Sequence, residues 1–175
     1  MRGKDRYGPT FTAITINRKP LALIAGGFYQ QRSDDNEDLS TVRDSSHRLL
    51  GADTAVRLTV PGFMPLSVED IGQSADGNRL IPICHYGEQN GDLMRDPDMV
   101  FEIHAWVHAA SAEPLSFRND YMGLLQEVYR YGPDGKKTHV NVKLKQDLKS
   151  FARKWFANLK DQGFPGETAI RERLT

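Results

Sequence analysis

The chain has little cysteine and no long apolar run: Cys84 is the only cysteine among 175 residues, and the longest apolar run is Leu21 to Ala25. A single thiol excludes an intramolecular disulfide framework and a zinc site built from several cysteines. Five apolar residues are too few to cross a bilayer, and they are also shorter than the core of a signal peptide. We therefore expect a cytoplasmic protein that does not insert into membranes.

A net charge of one sign is also missing, because 23 Lys and Arg residues balance 23 Asp and Glu residues. A neutral chain is not expected to coat nucleic acid or membrane through its overall field. The charges are nevertheless unevenly distributed. Residues 88–102 carry five acids and one arginine, whereas residues 136–160 carry eight basic side chains and one acid. The sequence therefore predicts two surfaces of opposite charge.

The length of the chain fits a single folded domain. Residues 30–48 are almost wholly polar and cannot bury enough apolar surface to offset their ordering entropy, which predicts a linker or mobile loop. The apolar segments before this stretch predict a hairpin. We expect an N-terminal extension over residues 1–44, one domain over residues 45–165, and a short charged tail over residues 166–175.

The pattern between residues 53 and 132 is that of β-strands, because short alternating apolar segments are separated by turn signals such as Pro61-Gly62. Large apolar residues then recur every three or four positions, at Leu144, Leu148, Phe151, Trp155 and Leu159. This stripe predicts one amphipathic helix, which Gly163 ends. Since no helical pattern separates the strands, the sequence predicts an α+β fold: an antiparallel β-meander of about six strands packed by a C-terminal helix.

The first candidate site is the acidic loop, residues 88–102. Hard cations prefer several oxygen ligands, so Asp92, Asp98 and Glu102 are candidate ligands of a divalent metal. Glu102 and His104 lie two residues apart on one face of a strand and can share an ion. The alternative is that the Asp, Asn, Gly and Pro residues of this loop only form turns.

The second candidate site is the basic helix, with Lys143, Lys145, Lys149, Arg153 and Lys154. Such a face can hold a phosphate backbone or an acidic protein surface by Coulomb attraction. The alternative is that these charges only solvate the outer side of the helix. Membrane binding is not expected, because the aromatic residues of the helix belong to its core side.

The third candidate site is a polar stretch within the β pattern that contains Arg118, Glu127 and Tyr129. Arg118 can form an ion pair that fixes strand register, either with Glu127 or with a carboxylate of the acidic loop. The functional alternative is a site for an anionic ligand, in a pocket that Trp106 also lines. The sequence contains no Gly-rich phosphate loop, Ser-nucleophile elbow or metalloprotease helix.

Four segments resemble an uncharacterised bacterial domain family that is common on plasmids and other mobile elements. They are Gly62–Leu66, the stretch HYGEQNGDLMRDPDMVFE over residues 85–102, Arg118–Tyr129 and Phe151–Phe164. The similarity covers residues 45–165. The resemblance implies a small accessory protein that counters host defence or assists transfer, and it implies no catalytic residue.

Charge segregation without a recognisable catalytic set favours a non-catalytic interaction protein. It would present the acidic loop and the basic helix to a protein or nucleic-acid partner and would need no cofactor. The first alternative is a metal-dependent hydrolase or nuclease that uses Asp92, Asp98 and Glu102. The second alternative is a small-ligand-binding domain.

Overall fold

A computed structural model describes residues 49–105 and 110–174. The predicted N-terminal extension, residues 1–44, lies outside the described residues, as does Trp106. The described elements are, in chain order, β1 (Ala55–Thr59), β2 (Leu66–Glu69), β3 (Arg79–Gln89), β4 (Asp92–Ala105), β5 (Ala110–Asn119), β6 (Leu124–Glu127), β7 (Tyr129–Tyr131), β8 (Lys137–Val140), α1 (Val142–Asp161) and β9 (Ile170–Arg173).

Strands β1 to β6 form an antiparallel meander, in which each strand pairs with the next along the chain. The order of the main sheet is β6-β5-β4-β3-β2-β1-β9, so β9 returns after α1 to pair with β1. Strands β7 and β8 form a separate hairpin. The predicted α+β class and antiparallel sheet are confirmed, although the main sheet has seven strands within the described residues.

One face of the sheet packs against α1 and forms the core. The strand register aligns five buried residues in one row across β1 to β5: Val56, Val68, Ile83, Met99 and Phe117. The predicted helical stripe supplies the opposite wall, since Leu148, Trp155 and Leu159 are buried. Phe151 is half-exposed but still stacks edge-on against Phe117, with ring centroids 5.2 Å apart.

The other side of the sheet is the polar face. Because side chains alternate along a strand, the neighbouring row across the same five strands points to this face. The row contains Arg57, Ser67, Cys84, Asp98 and Arg118. An antiparallel sheet with one packed face and one polar face is a common arrangement.

The acidic segment 88–102 is a β-hairpin and not a loop. Strand β3 continues to Gln89, and β4 begins at Asp92. Asn90 and Gly91 make the turn with positive φ angles of 55° and 87°, which a two-residue hairpin turn requires. Within β4, the register shifts where Pro97 interrupts the ladder, because proline has no N–H to donate. Asp96-Pro97-Asp98 therefore lies inside a strand.

The C-terminal residues 166–175, predicted only as a charged tail, contain the edge strand β9. All four residues of β9 are exposed. Asp53 fastens the strand, because its carboxylate lies 3.3 Å from Arg171 Nε and 3.1 Å from Arg173 Nε. Among the helices in the described part of the chain, none is long and apolar enough to cross a membrane.

Candidate functional site

The three predicted metal ligands all lie on β4, and the strand separates them. At roughly 3.3 Å per residue, Asp98 is about 20 Å from Asp92 and about 13 Å from Glu102 along the strand. Asp92 is exposed, Asp98 is half-buried and Glu102 is fully buried. The structure does not bring these three carboxylates together around one ion, whose oxygen ligands lie within about 2.6 Å of it.

Glu102 instead belongs to a buried ionic cluster of Glu102, Glu113, Tyr129, Lys137 and Lys145. The register of β4 and β5 places Glu102 opposite Glu113. Lys137 Nζ donates to Glu102 Oε2, and Lys145 Nζ lies 2.7 Å from Glu113 Oε2. The Tyr129 hydroxyl donates to Glu113 Oε1 and accepts from Lys145 Nζ at 2.8 Å. Two lysines therefore neutralise two carboxylates.

Hydrogen bonds within the cluster favour the charged forms of Glu102, Glu113 and Lys137. Burial favours a raised pKa for Glu102, but hydrogen bonds from Lys137 and Ser74 outweigh burial and lower the pKa. Burial is likewise outweighed at Glu113, where hydrogen bonds from Lys145 and Tyr129 lower the pKa. Burial favours a lowered pKa for Lys137, but the bond to Glu102 raises the pKa. None of these three groups has a pKa displaced toward neutrality, where general acids and bases work.

A possible cation site overlaps this cluster. Glu102, His104 and Glu113 offer three ligand atoms that lie within 4.8 Å of one another. The sequence paired Glu102 with His104 but missed Glu113, because Glu113 lies on the neighbouring strand and only the register identifies it. Lys137 and Lys145 already engage both carboxylates, so a cation has to displace them.

A cavity of about 170 Å³ adjoins the cluster. Its lining includes Ser74, Leu80, Glu102, Leu115, Tyr131 and Lys137. The predicted ligand pocket was expected to be lined by Arg118, Tyr129 and Trp106. Arg118 and Tyr129 do not line this cavity, and Trp106 lies outside the described residues. This cavity is therefore not the predicted pocket, and a ligand site at Arg118 and Tyr129 stays a prediction.

The basic helix is partly used within the molecule. Lys145 faces Glu113, and Lys143 Nζ lies 2.8 Å from Asp147 Oδ2 one turn later. Arg153 and Lys154 are exposed, and Lys149 is half-buried. Lys143 also remains exposed, so only Lys145 and Lys149 of the five predicted residues are half-buried.

Arg118 does not pair with Glu127. The register of β5 and β6 places Glu127 opposite Ser116 and Arg118 opposite Leu125. Arg118 Nε instead donates to Asp120 Oδ1 at 2.6 Å. Tyr129 belongs to the buried ionic cluster, so the third predicted group is divided between two places in the molecule.

Asp120 joins two arginines on the polar face. Besides Arg118, the carboxylate contacts Arg95 Nε at 3.4 Å and accepts the Arg95 backbone N–H at 3.0 Å. This backbone bond and the bond from Arg118 lower the pKa of Asp120. Asp98 lies opposite Arg118 across β4 and β5. Burial raises the pKa of Asp98 and outweighs the charges of Arg95 and Arg118. We call Arg95 and Arg118 the arginine pair.

Met64 and Tyr121 come from two different loops and both approach Gly87, and each has an exposed apolar neighbour in its own loop, Phe63 and Met122 respectively. We call these four residues the apolar corner. Each side chain is between 39% and 56% exposed. Gly87 brings the two loops that carry them together. A Cβ at Gly87 would collide with the Tyr121 hydroxyl and lie 3.2 Å from Met64 Sδ. A Cβ at this position of β3 would therefore displace the outer ends of these two side chains.

His85 is a buried residue of β3 that binds the loop carrying Met64. Its Nδ1 donates to the Met64 carbonyl at 3.0 Å, so the loop before β2 is fastened to β3. The ring lies edge-on to Trp155 and Phe164, with centroid distances of 5.8 Å and 5.4 Å. Burial lowers the pKa of His85 and outweighs the bonds to the Pro65 and Met64 carbonyls. A neutral imidazole therefore belongs to the folded state.

The comparisons with known proteins identify a family and no activity. No curated protein and no solved structure matches the chain. The family model described as Domain of unknown function (DUF6908) matches residues 38–165. The match includes β1 to β8 and α1, and it ends before β9. The expectation of an uncharacterised domain is thus confirmed, and the chain belongs to the DUF6908 family.

Proposed function

We propose that the protein is a non-catalytic interaction protein that binds another protein through the apolar corner. The observation that carries the proposal is that Met64 and Tyr121 approach each other at Gly87 from two loops, each of which exposes a further apolar side chain, Phe63 or Met122. Aromatic and methionine side chains are enriched at protein interfaces, and methionine adapts to irregular surfaces. This proposal narrows the predicted partner from a protein or a nucleic acid to a protein.

The charges beside the apolar corner indicate the chemistry of the partner. Glu88 and Asp92 are exposed at the tip of the β3–β4 hairpin. The Tyr121 hydroxyl lies 3.5 Å from the Glu88 carbonyl, so this acidic tip borders the corner. Because complementary charges steer association and fix orientation, the proposed partner surface combines apolar and basic side chains.

The buried ionic cluster supports the non-catalytic part of the proposal. Its carboxylates and Lys137 have pKa values displaced away from neutrality. Its bonds join β4 and β5 to the β7–β8 hairpin and to α1. A cluster of this kind has a structural role without any further chemistry.

The test compares three baits. The wild-type protein, the double variant M64E/M122E and the control I71E are each incubated with a lysate of cells that encode the protein. Ile71 is 55% exposed at the opposite end of β2, so I71E adds a charge without touching the corner. A protein that the wild type and I71E retain, and that M64E/M122E loses, is then purified for calorimetry.

We expect the double variant to lose at least about tenfold in affinity for that protein, because buried apolar anchors dominate interface energies. The control I71E is expected to change this affinity by less than about twofold. Increasing salt is expected to weaken binding, because the acidic tip contributes. Equal binding by all three baits contradicts the proposal. The proposal is also contradicted if the protein binds nucleic acid, R153E/K154E abolishes that binding, and M64E/M122E leaves it unchanged.

A second candidate function is metal-dependent hydrolysis at Glu102, His104 and Glu113. It is favoured by the convergence of three ligand atoms within 4.8 Å, and one imidazole with two carboxylates suits Zn²⁺ or Mn²⁺. Calorimetric titration with each ion is the test. A binding heat that E113Q abolishes and D92N leaves unchanged supports this function. Absence of a binding heat with the wild type contradicts it.

We also propose, from the resemblance alone, that the protein serves a plasmid or another mobile element inside the bacterial cytoplasm. Countering host defence is the role that this setting favours. Expression of the chain in a bacterium that restricts incoming DNA tests the role. A rise in plasmid transfer that M64E/M122E abolishes is the expected result, and unchanged transfer contradicts it.

A further inference from the structure

The arginine pair on the polar face is held in a fixed arrangement. Both guanidinium groups contact the Asp120 carboxylate, Arg118 through Nε at 2.6 Å and Arg95 through Nε at 3.4 Å. The backbone N–H of Arg95 also donates to Asp120, which anchors the carboxylate to β4. One carboxylate therefore sets the separation of two positive groups, which is the preorganisation that an anion site needs.

The pair keeps donors for a further anion. A guanidinium has five N–H donors, and contacts of Arg118 with the described residues use only Nε. Arg95 adds one long contact, 3.7 Å from its Nη1 to Asp98 Oδ2. The two side chains are 36% and 40% exposed, so solvent reaches them. Nη groups of two adjacent arginines suit an oxyanion, which accepts several N–H bonds at once.

Asp98 gives the site its selectivity. Its Oδ1 is buried and out of reach of a ligand, so Oδ2 is the oxygen that a ligand contacts, and Oδ2 lies 3.7 Å from Arg95 Nη1, too far for a hydrogen bond. Arg95, Arg118 and Asp120 are the charged groups around it. A carboxyl in this position is satisfied by a ligand that shares a proton with it. Inorganic phosphate carries such a proton at neutral pH as hydrogen phosphate, whereas a monoester, whose second pKa is about 6, has mostly lost it.

We propose that the arginine pair and Asp98 bind inorganic phosphate. The Nη donors of Arg95 and Arg118 hold the oxygens of the phosphate. Asp98 and hydrogen phosphate share the proton of the phosphate between a carboxyl oxygen and a phosphate oxygen. Sulfate, phosphodiesters and fully ionised monoesters have no such proton, so the site discriminates against all three. The site borders the apolar corner, because Asp120 precedes Tyr121 in the chain, but the two share no side chain and neither proposal depends on the other.

The test is a titration of ¹⁵N-labelled protein with sodium phosphate at pH 7.5 and constant ionic strength, followed by amide NMR. We expect shifts at residues 95–98 and 118–120 that saturate with a Kd of about 1 mM. Sodium sulfate is expected to bind at least about tenfold more weakly, because Asp98 repels a fully ionised anion. Phenyl phosphate, which is almost fully ionised at pH 7.5, and a dinucleotide are both expected to bind as weakly as sulfate, because neither has a proton to share.

Variants connect the effect to the named residues. R95Q/R118Q is expected to abolish the phosphate-dependent shifts, and R79Q is the matched control. Arg79 is an exposed arginine whose ion pair with Asp70 measures 2.7 Å, but it lies outside the site. D98N is expected to raise sulfate affinity and remove the selectivity, because an amide donates to an anion without sharing a proton. The amide spectrum of each variant verifies its fold.

Three outcomes would overturn the proposal. The first is an absence of saturable shifts at 95–98 and 118–120. The second is a phosphate response that folded R95Q/R118Q retains. The third is equal binding of phosphate and sulfate by the wild-type protein, which would remove the role of Asp98 and reduce the site to nonspecific charge attraction.

Discussion

Glu102 is a fully buried carboxylate whose charge is balanced by a lysine from a different element. Removing one member of a buried ion pair leaves the other charge without compensation in a medium of low dielectric constant. Replacing both members with apolar side chains avoids this penalty. Loss of one member of the Glu102–Lys137 pair is therefore expected to destabilise the protein more than replacement of both members.

We expect E102L and K137M each to lower the free energy of unfolding by about 3 kcal/mol. The double variant E102L/K137M is expected to recover most of that loss, because neither charge is then buried alone. Urea unfolding of the wild type and the three variants measures the coupling. Losses that add in the double variant would show that the two charges act independently.

Helix α1 is defined at both ends by side-chain and backbone bonds. Asn141 is the N-cap, and its Oδ1 accepts the Leu144 N–H at 3.0 Å. At the other end, Gly163 has a φ of 90°, which favours glycine and turns the chain so that Phe164 enters the core. The helix thus holds a fixed position over the sheet, with Lys145 reaching Glu113.

We expect N141A to lower the free energy of unfolding by about 1 kcal/mol, because the Leu144 N–H loses its acceptor. N141D keeps an acceptor and is expected to stay close to the wild type. N158A, at an exposed position within α1, is the matched control and is expected to be neutral or slightly stabilising. Thermal and urea unfolding supply the comparison. Equal losses in N141A and N158A would argue against the cap.

Across the whole molecule, the balance of 23 basic and 23 acidic residues is realised partly as internal ion pairs. Lys137 belongs to the basic segment 136–160, and it neutralises Glu102 of the acidic segment 88–102. The two charged surfaces that the sequence predicts therefore partly cancel each other in the folded protein. What remains outside is the acidic hairpin tip and part of the helix surface.

Stability is expected to fall on acidification in two stages. The pKa of His85 is lowered on folding, so only the unfolded chain gains this proton just below pH about 6.5. The pKa values of Glu102 and Glu113 are also lowered, so the unfolded chain gains these protons below pH about 4.3. An unfolded state that binds more protons makes the free energy of unfolding fall as pH falls. The raised pKa of Asp98 acts in the opposite sense and offsets part of the second stage.

Urea unfolding between pH 3 and pH 8 measures this profile. H85Q is expected to remove the decline between about pH 6.5 and 5.5 while keeping a donor for the Met64 carbonyl. E113Q is expected to reduce the decline below about pH 4.5. A wild-type profile that is level from pH 7 to pH 5 would contradict the assignment of the first stage to His85.

The sequence by itself determined the local structure of the domain. Alternation along β1 to β5, the turn at Asn90-Gly91, the apolar stripe of α1 and its end at Gly163 all follow from the geometry of residues close together in the chain. The α+β class follows from the same patterns. The sequence also identified individual residues of the candidate sites. It singled out the charges of Glu102 and Arg118, and it paired Glu102 with His104 on the same strand.

Only the tertiary structure decided which charged residues meet. Glu102 faces Glu113 because of the β4–β5 register, which shifts between Val100 and Phe101. Arg118 meets Asp120 and not Glu127, because the β5–β6 register places Glu127 two pairs further along, opposite Ser116. The four exposed residues of β9 have no alternation to reveal a strand, and their place beside β1 depends on distant Asp53. A periodic pattern specifies the face of a residue, whereas its neighbour is specified by register and by contacts between distant segments.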